Sequence, residues 1–183
     1  MQTSTVRTDL QSVWAIDPAY STVEFSVKNF LFLIVKGHFT EFAGSMVLDQ
    51  ANIGGESVEV AIKSASIDTG KKRRDAYLRS ADFLAADSYP HIRFQSRKIE
   101  PGRDRATLRL TGSLTIKGKS RELILDVEKL DHSRSPDGEE VSYYSTSTEL
   151  DRLDFGIGYR RGLMGRTLKV IINVQASRQE DFR

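Results

Sequence analysis

The feature that most constrains this chain is an alternation of apolar and polar residues with period two, which returns from residue 23 to residue 174. Val23, Phe25 and Val27 carry it in VEFSVK, and Val58, Val60 and Ile62 in VEVAIK. Leu108, Leu110, Leu114 and Ile116 follow in LRLTGSLTIK, then Leu123, Leu125 and Val127 in LILDV, and Val170, Ile172 and Val174 in VIINV. Successive side chains of a strand point to opposite faces, so each segment offers one face to a core and one to water. Strands with one wet face belong to antiparallel sheets. Turn-forming strings lie between them: NIGGES at 52–57, EPGRD at 100–104, KGKSR at 117–121 and SPDGEE at 135–140. Roughly eight strands, in a chain longer than a sandwich of about 100 residues, favour an all-β up-and-down or extended barrel. Residues 1–12, rich in Ser, Thr and Gln, read as a flexible leader, and 13–178 as one domain.

Two segments break the rhythm. NFLFLIVKGHFTEF, residues 29–42, predicts a one-turn helix leading into a strongly buried strand. DTGKKRRDAYLRSADF, residues 68–83, predicts a short helix capped by Asp68 or Thr69, with Asp75 and Arg79 paired four residues apart and Tyr77, Leu78 and Ala81 turned towards the protein. A helix this short needs a surface to dock on, and one mouth of a barrel supplies it.

Composition removes whole classes of chemistry. The chain has no cysteine, so disulfides, iron–sulfur clusters, thiolate zinc sites and Cys nucleophiles are excluded. His38, His91 and His132 show no metal-ligand spacing, and no metal or cofactor is expected. SLTIKGKS at 113–120 has Ser113 where a phosphate-binding loop requires glycine, DFG at 154–156 lacks every other kinase motif, and GIGYRRG at 156–162 has the wrong spacing for a dinucleotide fingerprint. No GxSxG elbow presents a serine nucleophile. A formal charge of +2 does not suit a nucleic-acid binder, so the basic runs Lys71–Arg74 and Tyr159–Arg161 read as solvated faces or contacts for a small anion. The polar N-terminal stretch has no apolar run of a secretory signal, and no segment reaches the length of a membrane span, which gives the expectation of a cytoplasmic protein. A secreted or periplasmic form carrying an added Met1 would read the same way.

With this order of motifs in hand, the chain resembles the YceI-like family, lipocalin-like proteins associated with polyisoprenoid lipids. The resemblance rests on WAIDPAYSTVEFSVKNF (14–30), VKGHFTEFAGSMVLD (35–49), VEVAIKSASIDTGKKRRDAYLRSADFLAADSYPHIRFQS (58–96), LTGSLTIKGKSRELILDV (110–127) and ELDRLDFGIGYRRGLMGRTLKVIINVQA (149–176). It implies an extended eight-stranded antiparallel β-barrel with a short helix near one mouth and an interior tunnel for a long isoprenoid chain. Tyr20, Asn29 and Tyr77 stand where the family pattern commonly has histidine, so no head-group preference carries over.

The resemblance thus implies non-enzymatic binding, storage or transport of a polyprenyl chain or isoprenoid quinone. The rival expectations are an enzyme acting on a bound apolar substrate and an interaction scaffold with a filled barrel. For the tunnel the expected residues are Phe25, Val27, Phe32, Phe39, Phe42, Ile62, Ile67, Leu78, Phe94, Leu114, Phe155 and Met164. Strand parity supports Phe25, Val27, Ile62 and Leu114 directly. For the mouth they are Arg73, Asp75, Arg79 and Arg152. Related barrels pair, so a homodimer is a further expectation.

Overall fold

The computed structural model of the chain describes residues 11–29, 32–49, 55–160 and 162–179. Its strands are β1 (Gln11–Ile16), β2 (Thr22–Asn29), β3 (Ile34–Phe39), β4 (Phe42–Asp49), β5 (Ser57–Lys63), β6 (Ile67–Asp68), β7 (His91–Pro101), β8 (Thr107–Ile116), β9 (Lys119–Arg134), β10 (Glu140–Asp151) and β11 (Met164–Arg178). One α-helix among the described residues, α1 (Lys72–Arg79), lies between β6 and β7. All neighbouring strands run antiparallel.

Six of these strands make three interrupted staves. β1 and β2 run end to end along β11, with Ile16 opposite Ala176 and Thr22 opposite Asn173. β3 and β4 continue each other against them, as do β5 and β6 in turn. The result is an eight-stave meander closed by β11 on β1 and β2, so the sheet has no free long edge. Side chains stitch the breaks: the Ser21 hydroxyl accepts from the Gln175 N–H at 3.0 Å, and the Ser66 hydroxyl accepts from the Glu41 N–H at 3.1 Å. Buried Ser64 donates to the Tyr89 carbonyl at 2.8 Å.

Turn chemistry sets the hairpins. Lys117 and Gly118 both adopt positive φ, 51° and 71°, which makes the two-residue connection between Ile116 and Lys119 fit the twist of β8 and β9. In the segment expected to hold a one-turn helix, β2 runs on to Asn29 and the chain re-enters a strand at Ile34. The Asn29 side chain accepts from the Leu33 N–H at 3.0 Å, and β3 begins at Ile34 with alternate residues exposed rather than strongly buried. Phe30 and Leu31 lie outside the described residues.

Apolar side chains gather at both ends of the barrel. Ile67, Phe83, Leu84, Ile92, Leu114, Ile116, Phe155 and Ile157 form one buried cluster beneath the helix. Trp14, Met46, Tyr144 and Ala176 form the other, towards the opposite end. The helix docks as expected, but by different contacts. Lys71 occupies the cap position without a side-chain bond. Buried Asp75 reaches back to the Thr69 N–H at 2.9 Å and to its hydroxyl, while Arg79 donates to the carbonyls of Ala65 at 2.7 Å and Ile67 at 3.0 Å, so the two do not pair. The carbonyls at the strand break between β5 and β6 need donors, and the guanidinium supplies them. No helix among the described residues is long and apolar enough to cross a membrane.

Candidate functional site: an apolar tunnel in the barrel

A cavity of about 430 Å³ runs inside the barrel, walled by side chains from all eight staves and by the helix. Its wall is almost wholly aliphatic and aromatic. Each strand sends alternate residues inward: Val23, Phe25 and Val27 from β2, Val58, Val60 and Ile62 from β5, and Leu168, Val170, Ile172 and Val174 from β11.

An eight-stranded barrel is only just wide enough to be filled by its own side chains. Space remains here because several inward positions carry little bulk. Gly37, Gly44 and Gly112 fall in the inward register of β3, β4 and β8, between wall residues such as Val35 and Phe39, Phe42 and Met46, and Leu110 and Leu114. A Cβ on Gly37 would stand 2.5 Å from the Phe25 ring, and one on Gly112 would stand 2.6 Å from the Phe94 ring. The two rings therefore lie against the wall over glycine instead of projecting across the bore. Thr146 and Thr148 from β10 take two further inward positions, and the Thr146 hydroxyl is turned to the Asp126 carbonyl at 2.8 Å.

The helix closes part of one mouth. Arg74, Tyr77 and Leu78, three and four residues apart, share the face turned to the cavity. Arg74 is braced by Thr69, donating from Nε to its hydroxyl at 2.7 Å and from Nη2 to its carbonyl at 2.8 Å. The Tyr77 ring packs on Phe83 with centroids 4.8 Å apart. At the far end, burial pushes the Tyr144 phenol above its ordinary pKa, with a hydrogen bond to Ser142 acting in the other direction. Ser142 in turn meets His132 Nδ1 at 2.8 Å. Among the described residues no three His, Asp or Glu side chains come together in a way that could hold a metal ion.

Of the expected tunnel residues, Phe25, Val27, Phe39, Phe42, Ile62, Ile67, Leu78, Phe94, Leu114 and Met164 lie on the cavity wall. Two do not. Phe32 projects into solvent, 88% exposed, because it sits at positive φ in the turn beyond β2, where strand parity no longer applies. Phe155 is fully packed into the cluster under the helix and stops short of the cavity.

None of the four expected mouth residues lines the cavity, although Arg73, Asp75 and Arg79 lie on the helix that covers its mouth. Arg73 points to solvent from the outer face of the helix, and Arg79 is drawn to the Ala65 and Ile67 carbonyls. Asp75 is spent on Thr69. Arg152 is buried and binds carbonyls of the 157–165 loop; burial pulls its guanidinium below its ordinary pKa. Tyr77 faces the protein as expected; sequence reasoning missed Arg74, although helical spacing back from Leu78 identifies it. It also missed Thr146 and Thr148, whose alternation in SYYSTSTEL is polar and so carries no hydrophobic signal.

Comparison with known proteins agrees with this architecture. The model of the YceI-like domain matches residues 14–176. A UPF0312 protein of Vibrio cholerae is 31% identical over 139 residues, covering 76% of this chain and 73% of that protein. The crystal structure of a Campylobacter jejuni YceI protein superposes with a TM-score of 0.72 at 30% identity, covering 80% of this chain and 86% of that one. A domain of Saccharophagus degradans described as polyisoprenoid-binding shares the fold, with a TM-score of 0.70 at 12% identity over 91% of this chain and 98% of its own. A family match over nearly every stave of the barrel, joined to a structural likeness at 30% identity, places the chain in the YceI-like family.

Proposed function

We propose that the barrel binds one long apolar isoprenoid, a polyprenyl chain or an isoprenoid quinone, and carries or stores it without chemical change. The observation that supports this most strongly is the cavity itself: about 430 Å³ of space, walled by apolar side chains of all eight staves and kept open by inward glycines. Its size falls in the range of small-ligand sites, about 300–1,000 Å³. Family membership and the isoprenoid-binding description of the Saccharophagus domain point the same way.

The energetics ask little of polar groups. Each buried methylene contributes about 0.8 kcal/mol, so about ten carbons supply ~8 kcal/mol before association costs, which is the micromolar scale. An open bore argues against a filled scaffold. Carriage needs no catalytic group, and two polar residues on the bore wall are already engaged: Arg74 with Thr69 and Thr146 with a backbone carbonyl.

The test is solvent extraction of freshly purified protein followed by mass spectrometry. A stoichiometric polyprenyl or quinone species is the expected result. Protein that emerges empty, and that also fails to take up added polyprenol or ubiquinone, overturns the reading.

A further inference from the structure

We propose that the helix end of the barrel docks onto the surface of an anionic lipid bilayer. Two independent features of that end carry the inference, and it holds whatever cargo the bore contains.

The first is exposed apolar surface that runs into the bore. Leu33, directly before β3, and Leu163, in the loop before β11, are 61% and 70% exposed, and the two connections adjoin through the pairing of Asn29 with Met164. Phe32 stands beside Leu33, and Tyr77 is half-exposed on the helix. Leu163 and Tyr77 also line the cavity, so each touches solvent on one side and the bore on the other. Apolar side chains grouped round an opening mark an interaction surface.

The second is charge. The connections at this end, 30–33, 69–90, 117–118 and 152–163, hold nine Lys and Arg against four Asp and no Glu. Those at the other end, 50–56, 102–106 and 135–139, hold two Arg against four acidic residues. At the helix end Arg74, Arg79, Arg152 and Lys117 are committed to protein oxygens. The side chains of Lys71, Lys72, Arg73 and Arg160 are exposed and make no ion pair or hydrogen bond among the described residues. An anionic bilayer meets both features together: the apolar tips enter the acyl boundary while the free cations meet lipid phosphates. The bore would then open towards the phase in which a long apolar chain dissolves.

The test uses the full chain and sedimentation with vesicles free of isoprenoid, made either of phosphatidylcholine alone or of phosphatidylcholine with phosphatidylglycerol. Binding to the mixed vesicles, weaker binding to the neutral ones, and loss with added salt are expected. Replacing Lys72→Glu with Arg73→Glu, both on the outer face of the helix, should weaken binding about tenfold or more. Leu33→Asp with Leu163→Asp should weaken it comparably while thermal unfolding stays cooperative. Absence of vesicle binding, or binding equal for wild type and both variants, overturns the proposal. A dimer in light scattering that Leu33→Asp with Leu163→Asp dissolves, without vesicle binding by the wild type, assigns the patch to a second copy instead. The extraction experiment reads cargo alone, so failure of docking and failure of isoprenoid binding are separable.

Discussion

The Phe25 ring lies directly over Gly37, its partner across the β2–β3 ladder, so closely that a Cβ at position 37 would stand 2.5 Å from Cζ. The same Cβ would come within 2.9 Å of the Asp68 carbonyl of β6, which cannot swing aside. Gly37→Ala therefore forces the ring towards the bore and strains the β3–β6 pairing. The expected cost is about 1–3 kcal/mol of stability, together with weaker uptake of a long apolar probe. Urea unfolding and fluorescent-probe titration read the two effects, and a variant indistinguishable from wild type in both would show that the ring is not held back by the glycine.

Filling the bore directly should separate binding from folding. Ile62 faces the cavity from β5 and packs against the cluster under the helix. Ile62→Trp places an indole in space the structure leaves open, so uptake of a polyprenol should fall about tenfold or more for each ~1.4 kcal/mol of contact displaced. Overpacking costs ~1–3 kcal/mol, and circular dichroism with thermal unfolding checks that the barrel persists. Undiminished uptake by a folded Ile62→Trp protein would remove the chain from the bore.

Arg152 is the most deeply buried charged residue among the described residues and binds the carbonyls of the connection that follows it. It donates to the carbonyls of Ile157 at 2.6 Å, Gly165 at 2.8 Å, Tyr159 at 2.9 Å and Met164 at 3.1 Å. A planar fork of donors suits several carbonyls at once, and an ammonium group cannot reproduce it. Arg152→Ala should cost about 2–4 kcal/mol because buried carbonyls lose charged donors, and Arg152→Lys should recover only part of that. Urea midpoints of the two variants measure this. A lysine variant as stable as wild type would mean that position 152 needs only a positive charge.

The sequence spoke most clearly where one rule governed many residues. Every apolar position in the quoted alternations, from Val23 through Leu110 to Val174, lies on the cavity wall, because the strand period leaves a side chain no choice of face once its neighbours are committed. Parity stops at turns, which is why Phe32 was misplaced. It is silent about which way a cation in a connection will turn. Arg73, Arg79 and Arg152 look alike as letters, yet one faces water and the others serve carbonyls that only the folded loops bring near. The openness of the bore was also hidden, since an inward glycine reads as a break in the pattern and shows its purpose only when Phe25 or Phe94 is seen lying across it.

Acid should loosen the end of β10 in a defined direction. The Asp151 carboxylate accepts from Arg166 through Nε at 3.0 Å and more closely through Nη2, and from the Leu153 N–H at 2.9 Å. The Arg166 bond chiefly, then the Leu153 amide, holds the carboxyl below its ordinary pKa. A carboxylate depressed in the native state adds stability above its unfolded pKa of about 3.9 and loses that contribution as pH falls through the lower native value. Asp151→Asn should therefore be less stable than wild type at neutral pH, by a small margin because Arg166 is exposed, and the gap should close in strong acid. Urea midpoints of both proteins at neutral pH and below the carboxylate range decide it. A gap that stays constant, or widens as pH falls, would mean that Asp151 acts by shape and not by charge.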